Sequence, residues 1–167
     1  MLHIATSPHV YEKLRTEIDT GVKQGRISSP ITDAEARELP YLQACIKECF
    51  RIWPPVTGIM PRVSEHDETV CGQHVPAGTN VGWSARSVLR DKGVFGENAQ
   101  LYWPDRWLSV EGEKLRDMDN TVELVFGRGK WGCLGKPITL LELNKVFVEV
   151  GKTDYPFPFQ TFASCRI

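Results

Sequence analysis

Cys133 lies in the most glycine-rich stretch of the chain, which reads Phe126-Gly127-Arg128-Gly129-Lys130-Trp131-Gly132-Cys133-Leu134-Gly135-Lys136-Pro137. Four glycines in ten residues make a poor core, so this stretch is predicted to be a loop that brings its backbone close to another group. Pro137 favours the first turn of a helix, which places Cys133 at or just before a helix N-terminus. There the amides of Leu134 and Gly135 can point at the sulfur and the helix dipole favours a thiolate. The sequence therefore predicts an activated thiolate, either a nucleophile or a metal ligand.

A nucleophilic thiolate would need a general base within hydrogen-bonding reach. The candidates are four histidines, none of which lies in a recognisable catalytic sequence: His3, His9, His66 and His74. A ligand to haem iron needs no base, and a flat macrocycle must approach the backbone closely, as a glycine-walled loop allows. The residues alone leave both chemistries open and favour haem ligation.

Three segments resemble the motifs of the cytochrome P-450 haem-thiolate monooxygenases, in the order found in that family. The pattern Phe126-x-x-Gly129-x-x-x-Cys133-x-Gly135 resembles its haem-binding loop. Glu48-Cys49-Phe50-Arg51 resembles the E-x-x-R of its K helix, and Pro104-Asp105-Arg106-Trp107 resembles its P-x-R-F/W segment. The resemblance runs from about residue 1 to residue 150. Shorter stretches are similar to the fungal pisatin-demethylase-like and benzoate-hydroxylase-like members, among them Leu39-Pro40-Tyr41, Trp53-Pro54-Pro55 and Val122-Glu123-Leu124.

This resemblance implies haem b as the cofactor, with Cys133 as the axial thiolate ligand of the iron. Many family members carry an arginine two residues before the cysteine, where it binds a haem propionate. Trp131 stands there in this chain, and its indole offers one hydrogen bond but no charge. Arg62 matches another propionate-contacting position and is the better candidate. The residues implied to contact the haem are Cys133, Phe126, Gly127, Gly129, Trp131, Gly135 and Arg62.

The resemblance also implies a substrate pocket and a partner surface. The segment that matches a pocket-lining part of the family consists of Val56, Thr57, Gly58 and Ile59, and its alternative interpretation is an ordinary buried strand. Three basic residues surround the cysteine: Arg128, Lys130 and Lys136. They are either solvated loop charges or a docking patch for an acidic reductase.

Glu48 and Arg51 give two different predictions. Periodicity places them opposite the apolar stripe of their helix, which includes Trp53, and so predicts a solvent-exposed i, i+3 pair that stabilises by only a few tenths of a kcal/mol. The resemblance instead implies a buried triad of Glu48, Arg51 and Arg106 that supports the haem-side loops through charge-assisted hydrogen bonds. We expect the triad.

By resemblance, the complete enzyme is a monooxygenase that inserts one oxygen atom from O2 into a small organic substrate, with electrons from an NADPH-dependent reductase. The family's acid–alcohol pair, within A/G-G-x-D/E-T, does not occur in this sequence, so no catalytic residue is assigned here. We expect Met1 to follow that motif directly. We also expect a membrane anchor further upstream, which would place the complete enzyme at the endoplasmic reticulum membrane. The alternative is a truncated, inactive haem-binding remnant.

Hydrophobic periodicity predicts a mixed α+β fold that is mainly α. A helix is predicted after Ser7-Pro8, a capping box opens another at Thr32, and a third begins at Pro40 and is ended by Pro54-Pro55. Short β-prone segments follow, then an aromatic-rich irregular stretch, a charged loop over residues 111–120 and a last helix. This order matches the C-terminal part of the P-450 fold: helices J, K and L, short antiparallel strands and an irregular meander before the cysteine loop.

The composition is that of a globular protein. The chain has 167 residues and a formal net charge of −1, which gives no global field for nucleic acid, so no nucleic-acid partner is expected. No apolar run reaches the length of a membrane span. Residues 1–150 are predicted to be the haem-proximal portion of one domain. Residues 151–167 lose the resemblance and are expected to be a divergent tail, arising from intron read-through.

Overall fold

The computed structural model describes residues 2–152. Eight α-helices lie in this range: α1 Leu2–Ala5, α2 Pro8–Lys23, α3 Asp33–Arg37, α4 Pro40–Ile52, α5 Ala85–Val88, α6 Lys92–Phe95, α7 Gly112–Glu123 and α8 Lys136–Lys152. Three short 3-10 turns cover Pro104–Trp107, Leu124–Phe126 and Gly129–Trp131. The expected mixed, mainly helical fold is confirmed.

Within residues 2–152, four short strands form two separate antiparallel pairs. Strand β1 (Ile59–Val63) pairs with β4 (Asn80–Ser84), and β2 (Glu68–Val70) pairs with β3 (Gln73–Val75). In the first pair Arg62 lies opposite Val81. The β2–β3 turn is made by Cys71 and Gly72, which have φ values of 50° and 77°. Such turns need positive φ at both central positions, and their twist matches that of the strands.

Helix α4 is the centre of the fold and contacts α2, α3, α7, α8 and the turn at Pro104–Trp107. Leu39, its N-cap residue, has no side chain that could cap the helix. Glu17 of α2 takes over this function, because its carboxylate accepts hydrogen bonds from the amides of Tyr41 (2.8 Å) and Leu42 (2.9 Å). The helix ends at Ile52, one residue earlier than predicted, and Trp53 is its C-cap residue before Pro54.

The structure corrects three sequence-based expectations. The charged loop predicted over residues 111–120 is wrong, because this segment belongs to α7, which buries Met118 and Val122 at i, i+4 spacing. Trp53, expected in the apolar stripe of α4, is 67% exposed. The buried-strand interpretation of residues 56–59 is also wrong. The strand begins only at Ile59, and all four residues are exposed.

The last helix runs two residues beyond its predicted end. Gly151 and Lys152 continue α8, whereas residues 153–167, the rest of the expected tail, lie outside the described residues. Within residues 2–152, no helix is both long and apolar enough to cross a bilayer.

Candidate functional site

The loop that carries Cys133 is fixed at both ends by the backbone. The Cys133 amide donates a short hydrogen bond of 2.6 Å to the carbonyl of Phe126, which closes the loop. The Phe126 ring is buried and contacts Phe50 of α4 edge to face, with centroids 5.0 Å apart. On the other side, the Lys136 amide bonds the Cys133 carbonyl at 3.3 Å as α8 begins. The loop is therefore anchored on α4 and α8.

Gly127 and Gly129 allow the loop to turn. Both have positive φ, 70° and 58°. A Cβ at Gly127 would lie 2.5 Å from the carbonyl oxygen of Trp131, whereas one at Gly129 would meet no atom within 4 Å. Gly127 is thus required both by its backbone conformation and by a close approach of the chain to itself. Gly135 lies next to the sulfur, since a Cβ there would be 3.7 Å from Cys133 Sγ.

The Cys133 thiol is free and exposed. Its sulfur has no hydrogen-bond partner among the described residues, so neither a histidine base nor the amides of Leu134 and Gly135 bond it. The histidines have other neighbours. His74 Nε2 lies 3.8 Å from the Asp67 carboxylate oxygen Oδ2. His3 stacks on Tyr102 with centroids 5.0 Å apart.

A single exposed sulfur fits one kind of metal group. The described part of the chain holds no cluster of three or more His, Cys, Asp or Glu side chains that could bind a bare metal ion. Haem brings its own four nitrogen ligands and needs one protein donor on an approachable surface. Cys133 on its glycine-lined loop supplies that donor, so the residues present fit a haem.

The structure brings the two propionate candidates together. Arg62 lies on β1 and Trp131 in the cysteine loop, and the Arg62 guanidinium carbon is 5.0 Å from the centroid of the indole. Lys130 Nζ is 5.1 Å from the centroid of the same ring. Trp131 is 59% exposed, so this contact lies at the surface beside the cysteine.

The basic residues around the cysteine have different partners. Lys136 forms an ion pair with Glu123, and Arg128 Nη2 donates to the backbone and side-chain oxygens of Asn120, both at 3.1 Å. Lys130 is exposed, and within residues 2–152 no carboxylate pairs with it. Lys130 therefore remains the most available charge of the three.

Glu48, Arg51 and Arg106 lie together in the core, with Glu48 and Arg51 fully buried. The Glu48 carboxylate accepts two hydrogen bonds from Arg51 (2.7 and 2.9 Å) and one from Arg106 Nε (3.0 Å). Two further donors complete it: the Trp103 amide and the Trp107 indole, both at 2.9 Å. The exposed pair that periodicity predicts is wrong, because α4 is covered on both faces.

Arg51 is satisfied at every N–H. Besides Glu48, its guanidinium donates to the carbonyls of Leu89 (2.9 Å), Ala99 (2.6 Å) and Leu101 (2.8 Å). With two bonds to Glu48, all five donors of the group are used. Arg51 therefore ties α4 to the segment between α5 and the Pro104 turn.

Arg106 plays a similar part from the other side of the carboxylate. It donates to the carbonyls of Phe95 (2.7 Å), Asn98 (2.8 Å) and Leu101 (3.2 Å). Burial lowers the pKa of Arg106, while the charge of Glu48 opposes that shift. The excess positive charge of the two arginines is offset by backbone carbonyls rather than by a second carboxylate.

Sequence reasoning missed the Trp103 amide and the Trp107 indole as donors to Glu48. Trp107 is the last residue of the P-x-R-F/W segment, and its place directly after Arg106 in that motif was the signal available in the sequence. The substrate-pocket candidates, residues 56–59, do not line the cavity of about 410 Å³ that opens between α4 and α8.

Comparison with known proteins places these features in one family. The Cytochrome P450 family profile matches residues 1–150. Cytochrome P450 monooxygenase abl1 of Leptosphaeria maculans is 47% identical over 150 residues, which cover 89% of this chain and 26% of that protein. Cytochrome P450 monooxygenase aba1 of Botryotinia fuckeliana is 42% identical over 151 residues, 90% of this chain and 30% of that protein.

A third fungal relative, cytochrome P450 monooxygenase cicH of Emericella nidulans, is 42% identical over 145 residues, 86% of this chain and 29% of that protein. The chain thus spans less than a third of the length of these relatives. The narrower placement among pisatin-demethylase-like members stays a prediction. The relatives are named as monooxygenases, which are oxidoreductases. Because the family profile matches residues 1–150 and these relatives are 42–47% identical, this chain belongs to the cytochrome P450 family.

Proposed function

We propose that this chain is the haem-proximal part of a monooxygenase and that Cys133 Sγ is the axial ligand of haem b. The observation that carries this proposal is the exposed, unpartnered sulfur on a loop closed by the Cys133–Phe126 hydrogen bond. When bound, the haem supplies O2 activation, and the complete enzyme inserts one oxygen atom into a small organic substrate. A thiolate ligand assists this chemistry by donating electron density to the iron.

The buried triad positions the cysteine loop in this proposal. Glu48 and Arg51 lie on α4, which also carries Phe50, the contact of Phe126 at the base of the loop. Removing one charged partner of a buried cluster leaves an uncompensated charge and costs about 3–5 kcal/mol. We therefore expect loss of Glu48 to disturb α4 and, through Phe50, the loop.

Residues 56–59 are proposed to line the substrate pocket. The support is their place in the chain: they are exposed and lead into β1, whose Arg62 reaches the cysteine loop. Val56 and Ile59 are 49% and 70% exposed and offer apolar surface that a bound molecule can cover. A substrate beside the haem would do so.

An NADPH-dependent reductase is the proposed electron donor, and an endoplasmic reticulum membrane is the proposed location of the complete enzyme. Of the three basic residues around Cys133, Lys130 supplies exposed positive charge that no carboxylate of residues 2–152 neutralises. Such charges steer an acidic partner and raise its association rate. The docking interpretation of the basic patch therefore rests chiefly on Lys130.

Titration of the 167-residue chain with haemin tests the ligand assignment. Cys133→Ser should weaken binding at least tenfold, because serine is a poor ligand for the iron. The matched control is Cys71→Ser, which changes the other exposed cysteine of residues 2–152, in the β2–β3 turn. Equal affinities of the two variants would contradict the proposal.

A second candidate is haem binding without turnover by the isolated chain. It is favoured by the coverage of the relatives, since this chain corresponds to only 26–30% of their lengths. The haem-loaded chain, mixed with a fungal P450 reductase and NADPH, should then consume no NADPH above the haem-free background. Haem-dependent consumption would contradict this second candidate and leave the first intact.

A further inference from the structure

We infer that Trp131 is a positioning residue for Arg62: the indole face holds the guanidinium beside the cysteine loop, where the guanidinium binds a carboxylate of the haem. The inference rests on the proposed function and on the propionate contact that the family resemblance gives Arg62; the new element is the role of Trp131. It adds to that function an account of how the cysteine loop, which has tryptophan rather than arginine at position 131, binds a haem carboxylate. The charge comes from a neighbouring strand and is held in place by the aromatic ring.

The first observation is the arrangement of the two side chains. The Arg62 guanidinium carbon lies 5.0 Å from the centroid of the Trp131 ring, within the range of a cation–π contact. Arg62 comes from β1 and Trp131 from the 3-10 turn Gly129–Trp131, so the contact joins two elements far apart in the sequence. Pairing of Arg62 with Val81 fixes the backbone from which the side chain starts.

The second observation is the free capacity of the guanidinium. Arg62 Nη1 donates one hydrogen bond, to the carbonyl of Pro61 at 2.9 Å, and no carboxylate of the described residues pairs with it. An arginine has five N–H donors, and they lie in the plane of the group. A stacked guanidinium keeps its edge available, so it can bind a carboxylate with two parallel hydrogen bonds while the ring supports its face.

The third observation separates Arg62 from Lys130, whose Nζ is 5.1 Å from the centroid of the same ring. A lysine ammonium is a strongly hydrated point charge on a flexible stem, and it has no planar edge to present to a carboxylate. Lys130 also precedes Trp131 directly, so its contact with the ring is local and needs no tertiary structure. The role of Trp131 therefore concerns the planar guanidinium of Arg62, and Lys130 serves as the control.

The test compares haemin with its dimethyl ester, which lacks the free carboxylates. Arg62→Gln and Trp131→Leu should each lower the affinity of the chain for haemin roughly fivefold, the size expected of an exposed cation–π contact and its hydrogen bonds. The double variant should lose no more than Arg62→Gln alone, because Trp131 acts through Arg62. Affinity for the dimethyl ester should be the same in all four proteins, and Lys130→Gln should bind haemin as the unchanged chain does.

Two further variants separate positioning from loss of structure. Trp131→Phe keeps an aromatic face and should retain most of the affinity. Trp131→Arg supplies its own charge, so a second change, Arg62→Gln, should then have little effect. In the haem-free chain, the NMR signals of the Arg62 side-chain protons should be shifted by the indole ring current and should return to ordinary values in Trp131→Leu.

The inference is overturned if the losses of Arg62→Gln and Trp131→Leu add in the double variant, if they are equally large for the dimethyl ester, or if the ring-current shift is absent. These results leave the Cys133 assignment untouched. Failure of the unchanged chain to bind haemin contradicts the proposed function itself, and this inference with it.

Discussion

The indole Nε1 of Trp107 donates a 2.9 Å hydrogen bond to Oε2 of Glu48, where α4 crosses the turn at Pro104–Trp107. Glu48 is completely buried and Trp107 is 4% exposed. The carboxylate therefore has an aromatic donor in addition to the two arginines of the triad. The buried cluster therefore consists of three side chains around the carboxylate of Glu48.

We predict that Trp107→Phe lowers the free energy of unfolding by about 1.5–3 kcal/mol, because it removes a buried hydrogen bond to a charged group. Urea unfolding followed by circular dichroism measures this loss. The matched control is Trp103→Phe. The donor that Trp103 offers to Glu48 is its backbone amide, which the substitution keeps. Equal losses in the two variants would show that the indole hydrogen bond is unimportant.

The sequence could name three members of this cluster, but only through family resemblance. Hydrophobic periodicity gave the wrong environment for Glu48 and Arg51, since a helical wheel cannot show that a helix is covered on both sides. The partners of Arg51 include carbonyls 38 to 50 residues away in the chain. Such contacts depend on tertiary structure and leave no local pattern.

Glu17 should stabilise α4 from outside the helix. Glu17→Ala removes the acceptor for the amides of Tyr41 and Leu42, and we expect it to cost about 1–2 kcal/mol, as the loss of an N-cap does. Glu12→Ala, which changes an exposed residue of the same helix α2, is the control and should change stability little. Urea unfolding of both variants gives the comparison. A loss in Glu12→Ala as large as in Glu17→Ala would contradict the capping role.

Glu35 should make the fold sensitive to acid. Hydrogen bonds from the Ser28 hydroxyl and the Thr32 amide hold the pKa of Glu35 at about 2, below its ordinary value of 4.5. Because the folded protein releases this proton more readily than the unfolded chain does, the stabilisation is present above pH 4.5 and is lost as the pH falls towards 2. Urea midpoints measured from pH 6 to pH 3 should therefore fall more steeply for the unchanged chain than for Glu35→Gln.

Ser28→Ala provides the matched control for this pH dependence. It removes the Ser28 hydroxyl, the largest cause of the lowered pKa of Glu35, and it leaves the Thr32 amide in place. The fall in urea midpoint should then be intermediate between those of the unchanged chain and Glu35→Gln. Identical pH dependence in all three proteins would contradict the role assigned to Glu35.

Gly127 should be the glycine of the cysteine loop that tolerates substitution least. Gly127→Ala places a Cβ 2.5 Å from the Trp131 carbonyl at a residue with φ of 70°, so the loop must rearrange. Gly129→Ala meets only the cost of positive φ, about 1 kcal/mol. Haemin titration should show a clearly larger loss of affinity for Gly127→Ala than for Gly129→Ala. The reverse order would mean that the described loop is not the one that binds haem.

Local signals in the sequence predicted the starts of helices correctly where a single short segment determines the start. The capping box at Thr32 is present, with Glu35 N donating to the Thr32 hydroxyl at 3.3 Å, and Pro137 lies in the first turn of α8 as expected. Helix α7 was missed because its twelve residues are mostly polar and only Met118 and Val122 are buried. The Arg62–Trp131 contact was not predictable either, since nothing local relates β1 to the cysteine loop.

The assignment of Cys133 as haem ligand is tested most directly by the absorption spectrum of the reduced carbon-monoxide complex. The chain reconstituted with haemin, reduced and exposed to carbon monoxide should show the red-shifted Soret band typical of thiolate ligation. Cys71→Ser should retain this band and Cys133→Ser should lose it. A band that persists in Cys133→Ser, or one that is absent from the unchanged chain, would contradict the account.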